Sequence, residues 1–490
     1  MDIATKIRKE ETKLKIGNAA KDDVIVKLTD EQSIALKKIQ KWWKEDKTSI
    51  FVLSGYAGTG KTFLTKYFTN KLSSYVDVAI SAPTHKAKKV ISKMIGKPGV
   101  TLHSLLGLRP GVELSEFDPN DMKFVQQLNK SKFGEFQLVI IDEASMINKY
   151  LYQLIKETIQ DTDTRVLFMG DSAQLPPVNE DDPIVFTNLE GVKTAKLTHI
   201  IRQSDDNPLL EVFTVVRKII TRDLKTTDYK RTTILDSNNK GIEYITSPRE
   251  FKALMLEYFN SPYYWLDSDY AKVITYTNRK VNAYNKLIRK ELFKNSEQHI
   301  EEKEVFMSYG SVFDGNIPLI ENATDYIVES VTGEIENADG NNGNLVTLRE
   351  VGVETGTRTV FVLANNKETQ MKAAGEALIR LLEAKESQGY QRHTKWQEFF
   401  DYKGRNLTLT DIFQHGKMLL TASFKNGYAI TCHKSQGSTY KNVFVDETDI
   451  EKNRNIIERW KLKYVGLTRP TDKAFVLVRK PTVSTGDLFA

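Results

Sequence analysis

The sequence predicts an α/β protein built on parallel sheets, on three observations. Apolar runs of strand length, at residues 49–54, 76–83, 138–141 and 165–170, are separated by stretches that read as helices or turns. The first run leads directly into Gly55-Tyr56-Ala57-Gly58-Thr59-Gly60-Lys61-Thr62 and then into a helix opening at Phe63. A second strand-and-helix region begins near residue 204. It is interrupted between 306 and 415 by alternating, β-rich pieces.

The bulk numbers set the frame. A chain of 490 residues suggests roughly two to four domains. Hydrophobic content of 40% and charged content of 27% are ordinary for a globular protein. A net charge of +6 permits an anionic partner without requiring one. The one cysteine, Cys432, rules out an intrachain disulfide and a Cys/His zinc site, and reads as a small buried hydrophobe in a reducing compartment. No apolar run approaches a membrane span, and the charged residues 1–21 lack a signal-peptide core.

Taken in order, residues 1–27 form a charged arm. Thr29 and Gln32 have capping-box spacing at the start of a helix carrying Ile34, Leu36, Ile39 and Trp43. The Gln32 amide also suits the adenine edge. Gly55–Thr62 is the full G-x-x-x-x-G-K-[ST] pattern in its strand–loop–helix setting. Gly55, Gly58 and Gly60 let backbone N–H groups turn toward phosphates, Thr59 lies between them, Lys61 reaches the β/γ-phosphates, and the Thr62 hydroxyl serves Mg²⁺. Pro83-Thr84-His85-Lys86 and Thr101-Leu102-His103-Ser104 are polar loops at the ends of α/β units, suited to phosphodiester contacts or simply to solvated helix starts. Turn signals near Pro110-Gly111 and Asp118-Pro119, with Phe117 and Phe124 close by, mark a small inserted hairpin.

The strand 138–141 ends in Asp142-Glu143, one carboxylate to hold Mg²⁺ and one to take a proton from water. Gln174 sits on a proline-bounded loop after 165–171, and Arg202 is free to reach a phosphate or to make a surface ion pair. Thr277 and Asn278 end the strand 272–276. The pieces 325–328, 345–348 and 359–363 suggest a small antiparallel barrel with a helical extension after it. Beyond residue 416 come His433-Lys434-Ser435-Gln436-Gly437, a strand at 442–445, Tyr464-Val465-Gly466-Leu467-Thr468-Arg469, and a last strand at 474–478.

This ordered set resembles superfamily 1 helicases of the 5′-to-3′ branch, the RecD/Dda-like superfamily 1B. Residues 28–32 are similar to the Q motif, 55–62 to motif I, 82–87 to motif Ia, 101–104 to motif Ib, 142–145 to motif II, 170–176 to motif III, 202–203 to motif IV, 433–437 to motif V and 464–469 to motif VI. Pro470 after Arg469 departs from the usual motif VI and restrains the arginine's backbone.

The resemblance implies two RecA-like P-loop NTPase domains. The first spans 28–203 with a hairpin insert at 105–134. The second spans 204–305 and 416–490, split by a barrel-like insert at 306–415. It implies ATP and Mg²⁺ in the interdomain cleft. Lys61, Asp142, Glu143, Gln174, Arg202 and Arg469 would carry hydrolysis, with Thr62 and Asp142 on the metal. Gln32, Gly55, Gly58, Thr59, Gly60, Gln436 and Gly437 would complete the nucleotide site. Pro83, Thr84, His85, Thr101, His103, Thr277, Asn278, His433, Lys434 and Ser435 would hold single-stranded DNA, with Phe117 or Phe124 either wedging a fork or packing the hairpin. The expected partners are single strands and single/double-strand junctions, with replication or recombination proteins compatible. No membrane is involved. A monomer in the cytoplasm is expected, the host's for a phage-encoded member. The alternatives are an ATPase that translocates with little unwinding and a non-catalytic nucleic-acid-binding protein. The intact Lys61, Asp142, Glu143 and Arg469 argue against the latter.

Overall fold

The computed structural model describes residues 28–45, 48–72, 75–97, 99–108, 131–177, 180–201, 207–294, 298–314, 317–353 and 356–479. The expected arm, the middle of the hairpin insert with Phe117 and Phe124, and Arg202 lie outside them.

The first sheet contains β1 (Ile50–Gly55), β2 (Val78–Ser81), β3 (Leu138–Ile141), β4 (Arg165–Gly170) and β5 (Lys193–Leu197), in the order β2-β3-β4-β1-β5 with every pairing parallel. Its central strands are apolar on both faces because helices cover both. One face packs on Ala35, Leu36, Ile39 and Trp42 of the helix Asp30–Glu45 and on Leu64, Tyr67 and Phe68 after the glycine loop. The other packs on Leu102, Leu105, Leu151 and Ile155. Because β3, β4 and β1 are neighbours, the loops at 55–62, 142–143 and 171–177 emerge side by side at one sheet edge, where open α/β sheets bind ligands.

The second sheet uses β6 (Ile234–Leu235), β7 (Gly241–Ile245) and β8 (Ala271–Thr275), then β19 (Ala429–Thr431), β20 (Tyr440–Asp446) and β21 (Pro470–Leu477) from beyond the insert. The order is β19-β8-β20-β21-β7-β6, parallel except for the edge strand β6. Pro470 opens β21, a position where a missing N–H costs no ladder bond. Two sheets of this kind, the first carrying the glycine loop, make the pair of RecA-like domains.

The insert interrupts the second domain, between β8 and β19. An antiparallel sheet contains β9 (Val305–Ser308), β12 (Asp325–Val331), β13 (Ile335–Glu336), β14 (Asn342–Glu350), β15 (Thr357–Leu363) and β18 (Phe424–Asn426). Two short hairpins, β10 (Val312–Asp314) with β11 (Ile317–Ile320) and β16 (Ile412–Gln414) with β17 (Lys417–Leu420), flank it. Helices Lys367–Glu386 and Gly389–Arg405 pack together through Ala374, Ala377, Trp396 and Tyr402. The expected boundary at 415 cuts the β16–β17 hairpin, and β18 belongs to the same sheet as β9. The insert therefore runs on to Asn426. Composition changes gradually there, whereas strand pairing places the boundary sharply. An ion pair between Lys89 and Glu350 ties the insert back to the first domain.

One of the second domain's two core clusters holds Phe444 of β20, stacked on Phe475 of β21 at 4.6 Å and 13°, with Phe251 and Tyr258 edge-on. Phe444→Ala should cost about 3–5 kcal/mol, read as a lower urea midpoint of the second domain's unfolding with an unchanged m-value.

Candidate nucleotide cleft and nucleic-acid interface

The glycine loop is shaped by two left-handed residues, Gly58 (φ 81) and Gly60 (φ 78). A side chain on Gly60 would also meet Gln32 Nε2 at 2.6 Å. Gln32 is buried and does two jobs at once. Its Oε1 accepts from the Thr29 N–H, completing the capping box, while its Nε2 donates to the Thr59 carbonyl at 3.2 Å. The amide therefore braces the loop from behind. Lys61 Nζ donates to the Gly55 and Tyr56 carbonyls, both at 2.9 Å. Burial pulls its pKa down, while Asp171, Asp142 and Glu143 act to hold the proton on.

Glu143 follows β3 in a left-handed conformation, φ 52 and ψ 41, uncommon for a side-chain-bearing residue and characteristic of functional turns. Its Oε2 is buried and has no hydrogen-bond partner among the described residues. Burial and the adjacent Asp142 push its carboxyl up to about 7, against Arg469 and Lys61, which favour the anion. Burial also raises Asp142, with Lys61 opposing.

The second domain closes over these groups. Gln436 Nε2 donates to the Leu175 carbonyl at 3.1 Å and to Gln174 Oε1 at 3.4 Å. Gly437 (φ 71) brings its backbone so close that a Cβ would lie 3.1 Å from Ala87 Cβ and 3.7 Å from Glu143 Cγ. Arg469 is buried, its guanidinium held by the Val465 and Ser438 carbonyls at 3.1 Å each and by Thr468 Oγ1 at 2.8 Å. The proline after it leaves that placement intact.

Three residues at the centre of the cleft are absent from the sequence-based site. Asp171 Oδ2 accepts from the Ala57 N–H at 3.1 Å and the Tyr464 hydroxyl at 2.6 Å. Its Oδ1 accepts from the Ala173 N–H at 3.0 Å and from Arg217 at 3.2 Å. The Arg217 guanidinium also lies over the ring of Tyr56 in the glycine loop. Asp171 and Tyr464 fall inside recognisable motifs. Arg217 reads as one more charge on the helix Pro208–Ile220, and no local pattern marks it.

Among the expected nucleic-acid contacts, the outcome is mixed. Thr84 caps the helix His85–Ile95 by accepting from the Ala87 N–H, and Thr101 accepts from Ser104 N; each hydroxyl still has a proton to donate. Pro83 is half-buried beside Thr84, and the side chains of His85 and His103 are not among those described. His433 is half-buried, and burial lowers its pKa. Lys434 lies over the Tyr309 ring at 4.1 Å. Ser435 is a correction: it is fully buried, and its hydroxyl donates to the Cys432 carbonyl at 2.7 Å. Thr277 is another, because its hydroxyl donates to Asp449 and accepts from the Lys280 N–H, while Asn278 beside it is exposed. A motif pattern places such residues near a strand but does not say which way each hydroxyl turns.

Comparison with known proteins accords with this geometry. A family model described as an AAA domain matches residues 27–222, and one described as a UvrD-like helicase C-terminal domain matches 426–477. The ATP-dependent DNA helicase Dda of Enterobacteria phage T4 is 26% identical over 475 residues, covering 90% of this chain and 97% of that protein. The ATP-dependent RecD2 DNA helicase of Deinococcus radiodurans is 30% identical over 186 residues, 36% of this chain and 24% of that protein. The chain is a superfamily 1B helicase resembling Dda. An uncharacterised protein, R530 of Acanthamoeba polyphaga mimivirus, matches this helicase at 23% identity over 90% of its length and 98% of the viral protein. No helix among the described residues is long and apolar enough to cross a membrane.

The raised Glu143 carboxyl has a consequence for the helicase without nucleotide. Between pH 4.5 and about 7 the folded chain keeps a proton that the unfolded chain has released, so this group's contribution to stability is lost as pH rises through the window. Glu143→Gln removes that titration. Its melting temperature relative to wild type should therefore climb from pH 5 to pH 8 in calorimetric scans, and a constant offset would contradict the assignment.

Proposed function

We propose that this helicase couples ATP hydrolysis between its two RecA-like domains to 5′-to-3′ movement along single-stranded DNA, unwinding duplex ahead of it. The observation that carries this reading is the reach of the second domain into the first domain's phosphate site. Gln436 touches the Gln174–Leu175 loop, and Arg469 is close enough to Glu143 to favour its anion.

In this reading the amides of Gly55–Thr62 and the Lys61 ammonium cradle the β/γ-phosphates. Thr62 and Asp142 fit a hydrated Mg²⁺, since a hydroxyl and a carboxylate at adjoining loop ends form an oxygen donor set, and the ion when bound neutralises phosphate charge. Glu143, with a buried oxygen that has no partner among the described residues and a pKa near neutrality, is poised to take the proton of the attacking water. Arg469, Arg202 and Gln174 would stabilise charge on the transferred phosphoryl group. Gln32, already serving as a brace, would meet the base with whatever donor capacity its amide keeps.

Opening and closing of the cleft would shift the second domain's grip on DNA against the first's. That grip would use Asn278, His433 and Lys434 on one side and Pro83, Thr84, His85, Thr101 and His103 on the other. Phosphate contacts of this kind are independent of sequence and weaken with salt. Phe117 or Phe124 in the hairpin insert would split the fork.

Lys61→Ala should lower kcat for ATP hydrolysis by about 10²–10³, and Arg469→Ala by about 10³–10⁵, both measured with saturating single strand. Strand displacement should occur on a duplex with a 5′ tail and fail on one with a 3′ tail. Absence of single-strand-stimulated hydrolysis would overturn the helicase reading. Stimulation without displacement would instead favour a translocase that moves with little unwinding.

A further inference from the structure

The turn after β8 is held by a carboxylate that belongs to none of the motifs. Asp449 lies in the short helix Glu447–Ile450 after β20, and its side chain is completely withdrawn from solvent. Its Oδ2 accepts from the Thr275 hydroxyl at 2.8 Å, the Tyr276 N–H at 3.2 Å, the Thr277 N–H at 2.8 Å and the Thr277 hydroxyl at 2.9 Å. Oδ1 takes the ammonium of Lys452 at 2.8 Å. Four donors from three consecutive residues thus converge on one oxygen. Each is a charge-assisted bond in a dry site, the strong kind.

A second buried acid works beside it. Asp446 accepts the Asp449 N–H at 3.1 Å, the Tyr284 hydroxyl at 2.9 Å and the Lys280 ammonium at 3.1 Å. Lys280 and Tyr284 lie on the helix Asn278–Leu292, for which Thr277 is the N-cap. The two acids therefore fix the start of this helix at both its cap and its first turns. What the arrangement leaves facing solvent is Asn278 and Arg279.

We infer that Asp449 is a positioning residue for the second domain's hold on the DNA backbone: it locks the turn 275–277 so that Asn278 and Arg279 are presented to a phosphodiester. This deepens the helicase reading and rests on it. The chemistry divides cleanly. Thr277 spends its hydroxyl proton on Asp449, so it cannot donate to phosphate, and the donors for the anion come from the two residues that follow. The carboxylate never meets DNA, which it would repel, because it is buried behind the turn whose donors neutralise it. Its distance in sequence from the turn also gives β20 a part in the DNA grip, since Asp446 and Asp449 sit directly at the end of that strand.

The test is single-strand-stimulated ATP hydrolysis as a function of oligonucleotide concentration. Asp449→Asn keeps the size of the side chain but replaces one acceptor oxygen with a donor. It should raise the half-saturating oligonucleotide concentration about tenfold, the effect of losing roughly one charged hydrogen bond. The KM for ATP and kcat at saturating oligonucleotide should change less than twofold. Thr277→Val should reproduce the shift and Thr277→Ser, which restores the hydroxyl, should reverse it. Equal half-saturating concentrations in wild type and Asp449→Asn overturn the inference. So does a parallel loss of kcat and ATP affinity, which marks a purely structural role. Wild-type hydrolysis that ignores single strands overturns the helicase reading itself, and this inference with it.

Discussion

The buried carboxylate of Asp171 is the contact on which the two domains turn. Its two oxygens take an N–H from the glycine loop, an N–H from its own turn, a hydroxyl from the helix Ile456–Leu467 and a guanidinium from the helix Pro208–Ile220. A carboxylate with no exposed surface is tolerated only when every lone pair is used. This one is satisfied from both sides of the cleft. The glycine loop, the Gln174 turn and the segment leading to Arg469 are thereby referred to a single point. Lys461, bonded to Asp182 and to the Asp181 carbonyl, adds a second cross-cleft tie farther out.

Around that point the cleft carries deliberate local costs. Glu143 occupies a left-handed conformation worth about 1–3 kcal/mol of strain and leaves an oxygen without a hydrogen-bond partner among the described residues. Lys61 is turned onto carbonyls of its own loop, and three acids lie near it, close enough to hold its proton on. None of this helps the fold. Together the features describe a site whose charges are held ready for a ligand that brings several negative oxygens. The same principle operates at the start of the helix Asn278–Leu292, where Asp446 and Asp449 are committed inward and Asn278 and Arg279 are exposed.

Much of this was legible before any coordinates. The glycine loop, the Asp142-Glu143 pair and the strand-helix rhythm report directly on backbone geometry, because only certain residues turn, cap or bury at those spacings. The barrel-like insert showed in its alternation, but its end did not. Residues 416–426 have no compositional break, and only pairing of β18 with β9 assigns them. The resemblance assigns Ser435, in the motif V stretch, and Thr277, at the end of the strand 272–276, to outward contacts. The Thr277 hydroxyl turns inward to Asp449, far along the chain, and the Ser435 hydroxyl turns onto the Cys432 carbonyl of its own turn, whose Ser438 carbonyl Arg469 holds.

The sequence by itself determined the chemistry this helicase has available: a phosphate loop, a metal-and-base pair, and arginines for the far side, each carried by a local pattern. Tertiary structure alone decided which of those groups meet. Arg217 and Asp449 carry no local signature, because their roles come from partners that adjoin them only after two sheets have formed. Hydrogen-bond direction and burial are properties of that assembled cleft, and they are what separate a residue that faces ligand from one that holds another in place.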